Sequence, residues 1–130
     1  MNKRINIKSG TIWEDKIGYS RAVRIGNLIE ISGTAAIDGD RIIASGDPYQ
    51  QTKFIIQKIE KAIVEAGGKM QDVIRTRIYV ADINHWEDIG KAHGEFFKDI
   101  KPATSMIEVK SLIDPNFVDE IEATAIISSD

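Results

Sequence analysis

The side chains available for chemistry set the first limits on this sequence. It contains no Cys and two His in 130 residues, which excludes thiolate nucleophiles, disulfides, Fe–S clusters and Cys-ligated zinc. His85 and His93 lie eight residues apart on one predicted helix. That spacing separates them by about 12 Å along the axis, so they cannot share one metal ion. We therefore expect no metal site, and any chemistry must use carboxylates, hydroxyls, backbone groups, Arg and Lys.

Charged and aromatic side chains collect on one face of two predicted strands, residues 73–80 and 118–127. The polar face carries Arg75, Arg77, Tyr79, Glu120 and Glu122. The apolar face of the first strand carries Ile74, Thr76, Ile78 and Val80. The polar face is either a solvated sheet surface or a subunit interface in which Arg–Glu pairs of neighbouring chains satisfy each other. Composition leaves both interpretations open.

The first part of the chain predicts a β-hairpin. Residues 18–25 alternate in the manner of a strand, Gly26 suits a turn, and residues 28–32 form the returning strand. Residues 33–46 are rich in Gly, Asp and Ala, and we interpret them as an ordered loop. A short strand is expected near residues 41–44.

Two helices follow from capping signals and helical spacing. Asp47 can cap a helix whose first position is Pro48, and apolar residues then recur until a Gly pair that begins at Gly67. Asn84 with Glu87 matches a capping box and predicts the start of the second helix. This helix carries an apolar stripe along one side.

The order of elements predicts the fold class. Strands, a helix, a strand, a helix and further strands at residues 104–112 and 118–127 follow one another along the chain. Because each element must bury its apolar side, we expect an α+β two-layer sandwich, a mixed sheet with two helices on one face. Residues 1–130 form a single domain, since this length supports one core but not two.

Charge and hydropathy exclude several classes of partner. The formal net charge of −3 does not favour binding to nucleic acid. The first ten residues lack the apolar core of a signal peptide. No run of about 18 apolar residues predicts a membrane helix. We expect a cytoplasmic protein with no membrane or nucleic-acid partner.

Four stretches together indicate a family. They are GYSRAVRIGNLIEISG, the helix from QQT to EAGG, DVIRTRIYVADI, and PATSMIEV with EIEATAI after it. In this order, and over nearly the whole chain, they resemble the Rid family of reactive-intermediate deaminases, the YjgF-like proteins. The resemblance implies a chorismate-mutase-like fold and a homotrimer whose sheets pack into a central barrel. Clefts between the subunits would then bind a small molecule.

The resemblance also implies chemistry without a cofactor. Active members hydrolyse enamines and imines to 2-oxo acids and ammonia, and an Arg in the string P-A-R-S binds the substrate carboxylate. Here the string reads Pro102, Ala103, Thr104, Ser105, so Thr104 replaces that Arg. Removing one partner of such a charge pair costs roughly 2–5 kcal/mol. With Thr at this position, the chain resembles the branches of the family for which deaminase activity on 2-imino acids is absent or unproven.

The same resemblance implies roles for individual residues. Tyr19 and Ser32 would line the cleft, Thr104 would contact the substrate, and Glu120 would orient the attacking water. Arg21 lies two positions from Tyr19, on the same face of the predicted strand, and is our candidate to replace the missing cation. The expected ligand is a small polar molecule, with a carboxylate among the candidates.

Each of these assignments has a structural alternative. Arg21 could form a salt bridge at the rim or at the interface, and Glu120 could pair with an Arg of the neighbouring strand. Ser32 could satisfy a strand end, and Tyr19 could fill an interface. For the whole protein the two hypotheses are a metal-free deaminase and a non-catalytic metabolite-binding or regulatory module.

Overall fold

The computed structural model describes residues 3–128 and contains two sheets and three α-helices. The strands are β1 (Arg4–Ile7), β2 (Ala22–Ile25), β3 (Leu28–Thr34), β4 (Ile37–Asp38), β5 (Arg41–Ile42), β6 (Val73–Val80), β7 (Ala103–Glu108) and β8 (Asp119–Ile126). The helices are α1 (Ile12–Ile17), α2 (Pro48–Glu65) and α3 (Trp86–Phe97), with short 3-10 turns at Met70–Asp72 and Ile83–His85. In the described part of the chain, no helix has the length and apolar character needed to cross a bilayer.

Six strands form one mixed sheet in the order β1-β2-β3-β8-β6-β7, and β4 and β5 form a separate hairpin. Neighbouring strands of the large sheet are antiparallel except β6 and β7, which are parallel. Helix α2 packs against β3 and β8, and α3 packs against α2. The predicted α+β sandwich, with its long helices on one face, is confirmed.

Helix α2 forms as its capping residues predict. The Asp47 side chain accepts a hydrogen bond from the backbone N–H of Gln50 at 3.0 Å, and Pro48 occupies the first turn. Beyond the last turn, Gly67 has φ of 96°, a left-handed conformation that costs Gly little. The apolar stripe of α2 buries four isoleucines against the sheet, and they are Ile55, Ile56, Ile59 and Ile63. Each fully buried side chain of this size stabilises the fold by about 1.5–3 kcal/mol.

A bulge in β6 overturns one predicted strand face. The register with β8 shifts between Val73 and Arg75, because β6 has one residue more than β8 at this point. Val73 is therefore buried and Ile74 is 48% exposed, the reverse of the predicted alternation. Beyond the bulge the predicted pattern holds, with Ile78 buried.

The predicted capping box before α3 is wrong. The backbone N–H of Asn84 donates to the side chain of Asp82 at 2.9 Å, which caps a 3-10 turn instead. The α-helix then begins at Trp86, with no side-chain cap from His85.

Strand lengths also differ from the sequence prediction. The strand expected over residues 104–112 ends at Glu108. The strand expected from residue 18 begins only at Ala22, because Gly18 has φ of 89° and ends helix α1. Strand β1 and helix α1 were not predicted, since segments of four and six residues are too short to show a clear period.

A buried carboxyl group joins α2 to the start of β8. The hydroxyl of Thr52 lies 2.6 Å from Oδ2 of Asp119 and 2.7 Å from the backbone O of Pro48. A hydroxyl carries one proton, so both contacts are hydrogen bonds at once only when Asp119 is protonated and donates to Thr52. Burial raises the pKa of Asp119 to about 7, against the opposing effect of the Thr52 hydrogen bond.

Asp119→Asn tests this assignment through the pH dependence of stability. The unfolded chain ionises Asp119 near the ordinary Asp pKa of 3.8, so the folded state holds the extra proton between about pH 4 and pH 7. The free energy of unfolding of the wild type should therefore fall over this interval, by up to about 4 kcal/mol at about 1.4 kcal/mol per pKa unit. The amide of the variant can donate to Thr52 at any pH, so its stability should lack this fall.

Urea unfolding at pH 5 and pH 8 measures the effect. Asp99→Asn, which removes an exposed carboxylate beyond the end of α3, is the matched control and should keep the wild-type pH dependence. Equal pH dependence in Asp119→Asn and the wild type would contradict the assignment.

Candidate functional site

A cleft of about 500 Å³ opens beside the end of β3. Its walls come from α1 and the turn after it, from the end of β3, from the start of β8 and from the loop at residues 111–113. Four of the five residues singled out in the sequence line it, and they are Tyr19, Arg21, Ser32 and Glu120. The cleft therefore brings together residues that are far apart in the chain, since Tyr19 and Glu120 are separated by 101 positions.

A bulge in β3 shapes the floor of the cleft. The register with β8 shifts between Ile31 and Thr34, which leaves Gly33 at the irregularity. A Cβ atom built on Gly33 would lie 2.3 Å from Oε2 of Glu120. The carboxylate of Glu120 thus occupies the space that a Cβ at position 33 would fill, and a larger residue there would require the Glu120 side chain to move.

The carboxylate of Glu120 is half-buried and not engaged within the chain. Among residues 3–128 no hydrogen bond or ion pair holds it, although Arg75 donates to Ser105 at 2.8 Å and Arg77 lies 4.0 Å from Glu122. Burial raises the pKa of Glu120, the charge of Arg21 opposes this, and the charge of Glu122 adds to it. A carboxylate in this state is able to accept a proton or a hydrogen bond from a bound molecule.

The guanidinium of Arg21 is held by the protein through one of its nitrogens and by a buried ion pair. It is 4% exposed and donates to the backbone O of Gly33 and to the hydroxyl of Thr34, each at 2.8 Å. Its Nε lies 3.7 Å from Oε2 of Glu14, and its guanidinium carbon lies 5.6 Å from the ring centre of Tyr19. Arg21 therefore fixes the bulge of β3, and its salt bridge is buried instead of lying at a rim.

The partner carboxylate is equally well held. Glu14 is 5% exposed and accepts hydrogen bonds from the hydroxyl of Thr11 at 3.0 Å, from the backbone N–H of Ser9 at 3.0 Å and from the Ser9 hydroxyl. Burial alone would raise the pKa of Glu14, but these hydrogen bonds and the charge of Arg21 together lower it. The pair is thus ionised on both sides at neutral pH.

Ser32 and Tyr19 complete the same wall. The hydroxyl of Ser32 donates to the backbone O of Ser20 at 2.7 Å, which joins the end of β3 to the segment before β2. Its oxygen keeps lone pairs that can accept a further hydrogen bond. The ring of Tyr19 is half-buried beside Arg21.

Thr104 lies elsewhere in a single chain. It is on β7, which is three strands from β3 in the sheet, a separation of about 14 Å. Its hydroxyl contacts the hydroxyl of Thr76 at 2.8 Å and donates to the backbone O of Pro102 at 3.1 Å. Thr76 in turn lies 2.9 Å from Nε2 of His93, whose pKa is lowered by burial. One subunit alone does not bring Thr104 to the cleft.

Lys58 is a cleft residue that the sequence analysis missed. It lines the cleft from α2, and its Nζ donates to the backbone O of Ile37 at 2.9 Å. Burial and then the charge of Arg21 lower the pKa of Lys58 to about 8. The sequence does contain a pattern that marks Lys58. It lies four residues from both Phe54 and Ala62, so a charged residue interrupts the apolar stripe of the helix.

Comparison with known proteins gives consistent similarities. The model of the family described as Endoribonuclease L-PSP matches residues 14–127. An uncharacterized protein of Streptomyces coelicolor is 36% identical over 119 residues, which cover 92% of this chain and 89% of that protein. A RutC family protein of Pyrococcus abyssi is 34% identical over 108 residues, 82% of this chain and 84% of its own.

A solved structure has the same fold. It is a member of the YjgF/YER057c/UK114 family from Mycobacterium tuberculosis, 44% identical, with a TM-score of 0.87. The match covers 96% of this chain and all of the other.

Gly33→Ala tests the contact at the floor of the cleft. The new Cβ should push the Glu120 carboxylate out of its half-buried position, because they would otherwise lie 2.3 Å apart. We expect the pKa of Glu120 to fall back toward its ordinary value, as measured by NMR titration of its side-chain carbonyl carbon.

Gly94→Ala is the matched control, since nothing lies within 4 Å of a Cβ built at this position in α3. It should leave the titration of Glu120 unchanged and stabilise the helix by about 0.5–1 kcal/mol. A Gly33→Ala variant in which Glu120 titrates as in the wild type would show that the contact is not made.

Proposed function

Because the chain belongs to the Rid/YjgF family, we propose that it binds a small polar metabolite in clefts that a second subunit completes. The assembly is a homotrimer, and the reaction is the hydrolysis of an enamine or imine to a carbonyl compound and ammonia. No metal or cofactor takes part. The observation that carries this proposal is the unengaged carboxylate of Glu120, which faces a cleft beside Tyr19 and Ser32.

The chemistry needs little more than a positioned water. The carbon of a C=N bond is already electrophilic, so a carboxylate that accepts a proton from water directs the oxygen toward it. The water oxygen bonds to that carbon as the C=N π bond opens, and Glu120 passes the proton it took from water to the nitrogen, which gives a neutral carbinolamine. Glu120 then takes the proton of the carbinolamine hydroxyl and delivers it to the nitrogen as the C–N bond breaks, so that a carbonyl compound and ammonia are released. The raised pKa of Glu120 makes it a stronger base than an exposed Glu.

Two features support assembly with further copies of the chain, and the trimer itself is proposed from the family. Thr104 lies about 14 Å from β3 in one subunit, so only a second copy can bring it to the cleft. Ile74 on the inner strand β6 and Ile107 on the edge strand β7 are about half exposed, at 48% and 51%. Apolar side chains in such positions are typical of a surface that another subunit covers.

The replacement of Arg by Thr104 limits the substrates. A Thr hydroxyl donates one neutral hydrogen bond and cannot neutralise a carboxylate. The loss of roughly 2–5 kcal/mol corresponds to a reduction of about 30-fold to 4,000-fold in binding or rate. We therefore propose weak activity on 2-imino acids that are bound in the manner of the family.

A second function is favoured by the same substitution. A non-catalytic metabolite-binding or regulatory module would keep the cleft and lose the need for rapid turnover, and would show saturable binding without release of ammonia.

The family description names a ribonuclease, but a net charge of −3 does not favour contact with RNA phosphates. A cytoplasmic location and the absence of a nucleic-acid partner stay predictions from the sequence.

Thr104→Arg should create or increase hydrolysis of 2-iminobutanoate, by about 30-fold or more. The added guanidinium restores a bidentate partner for the carboxylate, provided that the rest of the cleft is intact. Thr104→Gln is the control, since it adds length and donors without charge. Equal rates for the Arg and Gln variants would mean that the cleft has diverged further and would favour the binding module.

Glu120→Gln should reduce ammonia release by about 100-fold or more on any enamine or imine that the wild type hydrolyses. The amide keeps the shape of the side chain and cannot accept the proton from water. Glu87→Gln, on the exposed side of α3, should keep the wild-type rate. Sedimentation equilibrium checks that the variants remain trimers; undiminished turnover in Glu120→Gln, or a monomeric wild type, would contradict the proposal.

A further inference from the structure

Lys58 presents an ammonium group at a junction of two cavities. It lines the cleft described above and a second cavity of about 290 Å³, which lies between α2 and β1. Arg21 and Ile37 are common to both cavities. A ligand that enters either cavity therefore meets the same side chain of α2.

The ammonium has unused hydrogen-bonding capacity. An ammonium carries three N–H donors, and the structure shows one bond from Lys58, to the backbone O of Ile37 at 2.9 Å. Within residues 3–128 no carboxylate lies within 4.0 Å of Nζ of Lys58. A half-buried cation with two free donors is costly to keep in this position unless an anion or water meets it.

Arg21 differs from Lys58 because it has a carboxylate partner. The charge of Arg21 is balanced by Glu14 at 3.7 Å. Its Nη1 donates to Gly33 and Thr34, whereas its buried Nε donates to no acceptor among the described residues. Arg21 is also 4% exposed, so little of its surface is open to a ligand. Of the two cations in the cleft, Lys58 is the one that has no carboxylate within 4.0 Å among residues 3–128.

The charges that face Lys58 come from four elements. Arg21, just before β2, and Lys61 on α2 repel its proton, whereas Glu14 on α1 and Asp38 on β4 attract it. Burial and Arg21 outweigh the two carboxylates, and the pKa of Lys58 falls to about 8. Among residues 3–128 no carboxylate lies within 4.0 Å of the Lys58 ammonium, so an anionic group of a ligand would supply its close partner.

We propose that Lys58 binds the anionic group of the ligand in this cleft, and that the ligand class is therefore small carboxylates. Lys58 takes over the task of the Arg that Thr104 replaces, but from α2 instead of β7. This inference rests on the proposed function of the cleft as a metabolite site. It also moves the cation from Arg21, the candidate of the sequence analysis, to a residue 37 positions later.

The test compares two probes on the full-length protein by isothermal titration calorimetry. 2-Oxobutanoate carries a carboxylate, and 2-oxobutanamide has nearly the same shape without the charge. We expect Lys58→Gln to weaken binding of 2-oxobutanoate at least tenfold and to leave binding of the amide unchanged. Lys58→Arg, which keeps the charge, should retain most of the affinity.

Two further measurements support the comparison. Lys53→Gln removes a Lys from the same helix that lines neither cavity, and it should bind both probes as the wild type does. Affinity of the wild type for 2-oxobutanoate should also fall as the pH rises from 7 to 9.5, because Lys58 loses its proton, whereas affinity for the amide should not. The pH series keeps the proposal testable even if Lys58→Gln does not fold.

The outcomes separate the two proposals. Unchanged binding of 2-oxobutanoate by Lys58→Gln, with no pH dependence in the wild type, would overturn the role of Lys58 and leave the metabolite site standing. Binding of neither probe by the trimeric wild type would overturn the metabolite site and the role of Lys58 together. Equal loss of both probes in Lys58→Gln would also overturn the inference, because a charge contact affects only the carboxylate.

Discussion

The cleft depends on the buried ion pair between Arg21 and Glu14. Through this pair the guanidinium joins α1 to the bulge of β3, where it also binds the backbone O of Gly33 and the hydroxyl of Thr34. Removing one member of such a pair costs about 3–5 kcal/mol, because the other charge is left buried and uncompensated. The bulge in turn provides the space beside Gly33 that the carboxylate of Glu120 occupies. The position of the unengaged carboxylate of Glu120 thus depends on an ion pair between residues that lie far from Glu120 in the chain.

In this arrangement the two cations of the cleft, Arg21 and Lys58, have different roles. Arg21 is paired with Glu14 and fixed in position. A guanidinium suits this role because it is always charged and its N–H donors have fixed directions. Lys58 has one hydrogen bond and no counter-ion within the described residues, and its flexible stem can follow a ligand. A cleft with a free carboxylate and a free ammonium can bind a molecule that carries both an anionic group and a polar nitrogen. A member of this family that lacks the usual Arg could keep a carboxylate substrate in this way.

The sequence predicted most of the fold where signals were local and long. Asp47, Pro48 and Gly67 mark the ends of α2 because capping and left-handed conformations depend on a few neighbouring residues. Short elements such as α1 gave no such signal. The bulge at Val73 was also missed, because an extra residue in one strand is visible only against its partner strand β8. That single residue exposes Ile74, which the alternation had assigned to the core.

The sequence by itself determined the class of the protein: the α+β sandwich, the family, the absence of Cys from its chemistry, and Thr104 in place of Arg. The tertiary structure decided which side chains are free to act. Whether Arg21 is occupied depends on Glu14 and on the bulge of β3, and whether Lys58 reaches the cleft depends on how α2 packs over the sheet. The physical reason is that a residue type fixes charge and donors, whereas their availability depends on partners that are remote in the chain. Register, bulges and packing bring those partners together, and they are properties of pairs of elements that no single segment contains.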